Sequence, residues 1–232
     1  KLSGSIMLPF VSLEHDINDG QSVFLDIADE YSVSLFSGCE YGAAISDKGE
    51  VIFINHSIAG LPDGEKAASL AILEKSVFAL SLSGRVFESN VESSSSVLRF
   101  SPVSELSGKE NVCLSGIVQN CLAVSSDGRV FGRGFKHFGQ LGLGKGIRYV
   151  SSFTEISSLF SHKIRAAYAG GSHSLFETRE GKISLVDTTI MVSSSSAMSQ
   201  EANMFDQKLS HILIAGYHAS FVFIGCDPHQ TG

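Results

Sequence analysis

Residues 125–146 read SSDGRVFGRGFKHFGQLGLGKG, a turn-forming Asp127-Gly128 followed by a glycine-punctuated connector. Asp127-Gly128 lies between an apolar run ending in Leu122, Ala123 and Val124 and a second one, Val130-Phe131. Asp-Gly supplies the positive φ angles of a two-residue hairpin turn, so the stretch reads as strand, turn, strand.

The first half of that stretch recurs. Gly49-Glu50-Val51, Gly84-Arg85-Val86, Gly128-Arg129-Val130 and Gly181-Lys182-Ile183 each place a charged residue and then a β-branched one after a turn glycine. Each glycine follows a short strand-like run ending in a hydroxyl, at Ser46, Ser81, Ser125 and Thr178, in one shared register. Gly38 and Gly170 stand eleven residues ahead of the turn glycine in the first and fourth copies, where Leu73 and Ile117 stand in the others. A fifth copy opens at Ser210 and stops at Cys226-Asp227-Pro228. The turn glycines are spaced 35, 44 and 53 residues apart, bracketing the roughly 40 to 50 residues of a propeller blade.

A segment ahead of the unit recurs as well, at residues 8–13, 101–106 and 152–156, and reads as a lead-in to the next blade. Residues 92–96 and 193–203 are Ser-rich and read as loops. Residues 65–75, EKAASLAILEK, have helical composition. Repeat register instead makes them the first strand of the second blade, and tertiary context overrides propensity.

The chain has 232 residues, 43% hydrophobic and 18% charged, with a mean hydropathy of +0.17. That describes a globular chain able to bury a substantial core as one large β domain. A net charge of −7 argues against a generic nucleic-acid binder, which needs clustered Lys and Arg. Cys39, Cys113, Cys121 and Cys226 show neither a C-x-x-C pair nor zinc-ligand spacing, so they read as free thiols in a reducing compartment. Cys113 and Cys121 are spaced to face each other across a hairpin. No 18-residue apolar window suggests a membrane helix and no signal peptide opens the chain. These features predict a cytosolic protein, with the nucleus as the alternative compartment.

The third copy, NCLAVSSDGRVFGRGFKHFGQLGLG, resembles the repeat of the regulator of chromosome condensation family. That pattern is a Gly, then His-Ser-Leu-Ala-Leu-Thr, Asp-Gly-Arg-Val-Tyr, Trp-Gly and Gly-Gln-Leu-Gly. Residues 127–131 and 139–142 match it closely, and Gly170 to Leu175 matches the opening in the fourth copy. Arg133 stands in place of the Trp, and the chain has no Trp at all. The histidine column reads Tyr41, Ser76, Asn120, His173 and Ala219, so the resemblance is to a divergent member or fragment. It implies an all-β propeller of four-stranded antiparallel blades, seven in the complete parent. The copies counted here would form an incomplete arc of about four to five. The expected organisation is a single propeller domain over residues 1–232, with blades near 8–58, 64–95, 101–146, 152–192 and 207–226. Ala44, Ala79 and Ala123, at one register position, are expected where inner strands must be small.

Catalytic patterns are tested and rejected. Residues 139–146 come within one position of a phosphate-binding loop, but Gly146 offers no hydroxyl for Mg²⁺ and the context is hairpins. Ser172-His173-Ser174 lacks a nucleophile elbow, and the eight histidines lack metal-ligand spacing. His173 is expected to be structural, and no cofactor is expected. One charge feature stands out against the acidic background: Arg129, Arg133, Lys136, Lys145 and Arg148 follow one another with no acidic residue between them. These five are the candidate partner-binding residues. The resulting expectation is a non-enzymatic protein-interaction module that binds a protein rather than nucleic acid or membrane. The alternative, which the resemblance implies, is a guanine nucleotide exchange factor for a Ran-type small GTPase.

Overall fold

The structure is a computed structural model and describes residues 6–7, 24–25, 34–37, 42–53, 57–93, 97–135, 140–141, 143, 149–159, 163–171, 173–181, 183–187, 200–202, 211–215 and 220–224. The chain divides into two compact units, Lys1–Val103 and Ser104–Gly232.

In the first unit, β1 (Ile6–Met7) and β2 (Phe24–Leu25) form a short antiparallel ribbon. A four-stranded sheet follows, ordered β3 (Ser34–Ser37), β4 (Gly42–Ile45), β5 (Val51–Phe53) and β6 (Ile58–Ala59). The next sheet contains β7 (Ala67–Ile72), β8 (Ser76–Ser81), β9 (Val86–Asn90) and β10 (Ser101–Pro102). The second unit repeats the arrangement with β11 (Asn111–Ile117), β12 (Asn120–Ser125), β13 (Val130–Phe135) and β14 (Tyr149–Glu155). Its second sheet is β15 (Ile164–Ala169), β16 (His173–Thr178), β17 (Ile183–Asp187) and β18 (Gln200–Ala202). The pair β19 (His211–Ala215) and β20 (Ser220–Ile224) comes last. Every pairing is antiparallel between consecutive strands, the up-and-down meander of a propeller blade.

The four turn glycines join the second and third strands of the four-stranded sheets, in the register that the repeats predict. Val51 pairs with Ile45, Val86 with Leu80, Val130 with Val124 and Ile183 with Glu177. The turn itself is not the two-residue form expected of Asp-Gly. Ser125 donates its N–H to Arg129 at 2.9 Å, and Gly128 donates to the Ser125 carbonyl at 2.8 Å. Three residues are thus enclosed, and of these only Gly128 has positive φ, at +87°. This is a type I turn closed by a left-handed glycine. The hydroxyl that ends each strand has a structural use here: Ser46 and Ser81 accept the N–H of Glu50 and Arg85 at 3.1 Å.

The predicted strand at residues 65–75 forms as β7. Leu70, Ala71 and Ile72 are buried there, and burial between paired strands outweighs a helix propensity of tenths of a kcal/mol per residue. The lead-in at 101–106 has a different place from the one expected, because Ser101–Pro102 pairs with β9 and closes the second sheet. Residues 152–156 likewise fall largely within β14, the fourth strand of the third sheet. A 3-10 turn, Ser104–Leu106 or Ser157–Leu159, then leads onward. Residues 8–13 lie outside the described residues.

Within each unit, sheets pack face to face around an apolar layer. In the first, Ala43, Ile45, Val51 and Phe53 share a cluster with Leu70, Ile72, Val77 and Ala79. In the second, Leu122, Val124 and Val130 share one with Ile164, Ala167 and Phe176. Ala44, Ala79 and Ala123 are buried, but they lie on the second strand of each sheet, hydrogen-bonded on both sides. Phe176 fills their position in the fourth copy, so the layer tolerates a large side chain there. Each fully buried Leu or Phe contributes roughly 1.5 to 3 kcal/mol.

Glycine is demanded sterically at two positions of the third sheet. A Cβ on Gly128 would stand 3.1 Å from the Lys163 Cα, and one on Gly134, at φ +120°, would stand 1.9 Å from the Gln119 carbonyl oxygen. Gly128→Val is therefore expected to cost at least about 1 kcal/mol, and Gly134→Ala about 3 kcal/mol or more, in urea unfolding. A Gly134→Ala protein as stable as wild type would refute the close approach at Gln119.

Candidate protein-interaction surface

Arg129 follows the β12–β13 turn, and its surroundings are built by that turn. Ser125 Oγ donates to Asp127 Oδ1 at 2.5 Å, and Arg129 Nε donates to Asp127 Oδ2 at 2.6 Å. These bonds, the Ser125 hydroxyl first, hold the Asp127 carboxyl down at about 2. Arg129 also approaches Glu155 at 3.9 Å and lies 6.0 Å over the Phe131 ring. Its side chain is 47% exposed, so the guanidinium is held but accessible.

Arg133 lies four residues further on, within β13, opposite Cys121 and at the irregularity between Gly132 and Gly134. It is half-buried. Its positive charge helps keep the Glu105 carboxyl below its ordinary range, after larger contributions from the Glu105 backbone N–H and the Ser104 hydroxyl. Lys136, Lys145 and Arg148 lie outside the described residues. Thus the run of cations without an intervening acid does not remain free of acids in space: folding brings Glu155 and Glu105 to the two arginines that are described.

The connector after β13 is anchored through its motif residues. Gln140 is 2% exposed; its side chain donates to the Gly171 carbonyl at 3.4 Å, and its own carbonyl accepts the Ser174 hydroxyl at 2.7 Å. Leu141 is fully buried in the same core as Ile156 and Phe176. The Ser174 hydroxyl is therefore engaged in holding the connector. His173 is 5% exposed on β16, and Ser172 lies outside the described residues.

Cys113 pairs with Val124 and Cys121 with Gly116, so the two do not face each other, and both are free thiols. Burial pushes the Cys113 thiol up. Among the described residues no group of three or more His, Cys, Asp and Glu side chains is placed to hold a metal ion. Among them too, no helix is long and apolar enough to cross a membrane.

Two features escaped the sequence reading. The first is a cleft of about 260 Å³ beside Arg129, with Gly128, Val130, Ile156 and Leu159 beneath and Arg129, Glu155 and Lys163 around it. Lys163 could have been marked by its place directly before the first strand of the fourth copy, as Lys66 stands before that of the second. The second is Glu177, which is 1% exposed at the position occupied by Ile45, Leu80 and Val124 in the other copies. Arg165 binds it at 2.5 Å, and the Tyr168 hydroxyl donates to it at 3.5 Å. Burial, reinforced by the Glu177 charge, pushes the Tyr168 hydroxyl up to about 12.

With this geometry in place, the likeness to known proteins can be located. Residues 127–176 match the Regulator of chromosome condensation (RCC1) repeat. The chain carries a repeat of that family. The match begins in the hairpin of the third sheet, passes through the anchored connector and ends on β16 of the fourth, so one sequence repeat spans parts of two sheets. No curated protein sequence matches the chain.

Among solved structures, yeast RCC1 (Prp20) bound to Kap60 is similar with a TM-score of 0.63 at 15% identity, covering 83% of this chain and 54% of that one. Prp20p from Saccharomyces cerevisiae, described together with its binding to Gsp1p and histones, gives 0.60 at 13%, covering 88% and 57%. Human WBSCR16 gives 0.58 at 18%, covering 69% and 48%. The chain spans about half the length of these proteins, and at such identities the likeness is one of fold: a β-propeller built from this repeat.

Asp127 makes stability depend on acid pH. Its folded value of about 2 lies below the ordinary carboxylate value, so its contribution is complete above about pH 4 and disappears as pH falls through about 2. The stability difference between wild type and Asp127→Asn should accordingly be constant from pH 5 to 7 and shrink between pH 4 and 2. A constant difference across that window would refute the assignment. At Glu177, Glu177→Leu restores the residue type of the sister copies and should stay within about 1 kcal/mol of wild type. Arg165→Ala, which removes the guanidinium from a buried carboxylate, should cost more than about 1 kcal/mol. The reverse order in thermal unfolding would overturn this account.

Proposed function

We propose that the chain is a non-enzymatic protein-interaction module whose blades hold a cationic strand end against an acidic protein surface. The observation that supports this reading is the placement of Arg129 just before β13 and of Arg133 on it, partly exposed and fixed by hairpin bonds and ladder. The connector that follows, which carries Lys136, Lys145 and Arg148 in its sequence, is pinned by Gln140 and Leu141. A rigid scaffold with functional residues on its connections suits recognition without requiring a nucleophile. The net charge of −7 favours a protein partner over nucleic acid, in the cytosol or the nucleus.

A second reading, nucleotide exchange on a Ran-type GTPase, draws on the fold likeness to Prp20p, a protein described by its binding to Gsp1p and histones. Exchange proceeds through binding and is compatible with the same surface.

Pull-down from lysate with wild type and the Arg133→Glu/Lys136→Glu double variant tests the first reading, with GDP release from a Ran-type GTPase measured in parallel. The double variant should lose the partners of wild type and associate with them at least about tenfold more slowly at low salt, with its fold intact by circular dichroism. Identical partner profiles would refute the patch, and faster GDP release with wild type would favour exchange.

A further inference from the structure

The cleft beside Arg129 deepens that reading and rests on it. Its floor is apolar: Val130, Ile156 and Leu159 are 2%, 1% and 5% exposed. Its volume of about 260 Å³ falls below the roughly 300 to 1,000 Å³ of sites for drug-sized molecules, which suits a side chain better than a nucleotide. The backbone around the floor is already engaged. The Gly128 carbonyl accepts from Ile164 at 3.2 Å, the Val130 carbonyl from Ile156 at 2.9 Å and the Ile156 carbonyl from Leu159 at 3.2 Å. An added strand would find these groups taken, so the occupant must be recognised through a side chain rather than through its backbone.

The rim decides the charge. Arg129 is held by Asp127 and approaches Glu155. Lys163 is exposed, and no carboxylate among the described residues lies within ion-pair distance of its ammonium. One uncompensated cation therefore stands at one side of the cleft, while Glu155 stands at its margin and disfavours a second carboxylate nearby.

We propose that this cleft receives one aliphatic side chain from a peptide segment of a partner protein, with the adjacent carboxylate of that segment paired to Lys163. The aliphatic group supplies affinity by leaving water, and the Lys163 contact selects orientation and sequence. Residues next to the anchor on the Glu155 side are neutral or basic.

The test uses the full chain, isotopically labelled, titrated with the peptide acetyl-Gly-Lys-Leu-Glu-Gly-Ser-amide while amide shifts are followed by NMR. Parallel titrations use a peptide with alanine for the leucine and one with lysine for the glutamate. Binding in the millimolar range or tighter should shift the amides of Gly128, Ile156, Leu159 and Lys163, and either change to the peptide should weaken it at least about fivefold. Lys163→Glu, at an exposed position, should keep the dispersed spectrum of the folded chain, weaken the glutamate peptide at least about fivefold and improve the lysine peptide. Absence of shifts at those amides, or equal binding of glutamate and lysine peptides, overturns the proposal. The Arg133→Glu/Lys136→Glu variant is titrated with the same peptide. Loss of cellular partners in that variant with the peptide still bound separates the wider surface from the cleft.

Discussion

One backbone contact organises both units: the carbonyl of a turn glycine accepts the N–H that opens the next sheet. Gly49 receives Ala67 at 2.8 Å, and Gly128 receives Ile164 at 3.2 Å. A Cβ at either glycine would come within about 3 Å of the incoming lysine, 2.5 Å from the Lys66 Cβ and 3.1 Å from the Lys163 Cα. The glycine therefore does more than permit a left-handed turn. It lets one sheet come close enough to the next for the apolar faces behind them to meet, and the buried clusters of both units lie behind such a junction. Without that approach, the side chains on the two faces would be separated by voids, which close-packed interiors do not tolerate cheaply.

The charges around the turns show one electrostatic problem solved with residues from different places. In the third sheet the turn supplies its own carboxylate, Asp127, to Ser125 and Arg129. In the second sheet Ser83 occupies the Asp127 position, and the carboxylate comes from outside the hairpin: Glu65 accepts the Ser83 hydroxyl at 2.7 Å and Arg85 at 3.4 Å. The Ser83 hydroxyl is the main influence that lowers the Glu65 carboxyl. In both sheets the arginine after the glycine lies over the phenylalanine two residues further on, at 5.0 Å for Arg85 and 6.0 Å for Arg129. These two copies thus share an arrangement of charges rather than a list of residues.

Buried polar residues hold the connector and the strands in place. Gln140 and Leu141 are buried, so these two residues of a stretch that resembles a phosphate loop on paper instead fix the connector against the fourth sheet. The surface on either side carries the features we propose for recognition: Arg129, Arg133 and the cleft beneath the turn. Glu177 illustrates the same principle from within. A position that three copies fill with an aliphatic residue holds a carboxylate in the fourth, and Arg165 and Tyr168 supply its partners from β15. Only the carboxylate is buried, Arg165 being 55% exposed, so the pair chiefly offsets the cost of taking Glu177 out of water.

The sequence by itself determined the hairpins, their shared register and the strand at residues 67–72, because turn chemistry and alternating burial are written in neighbouring residues. It also identified Arg129 and Arg133 as basic residues on one stretch. Only the tertiary structure decided that the turn encloses three residues, since a hydrogen bond from Ser125 to Arg129 selects between forms that Asp-Gly equally permits. It likewise assigned Ser101–Pro102 to the second sheet, brought Glu155 and Glu105 to the arginines, and opened the cleft beside Lys163. Apart from the turn, these features join separate segments of the chain, and their geometry is set by how strands and sheets pack. No local pattern of residues encodes that distance.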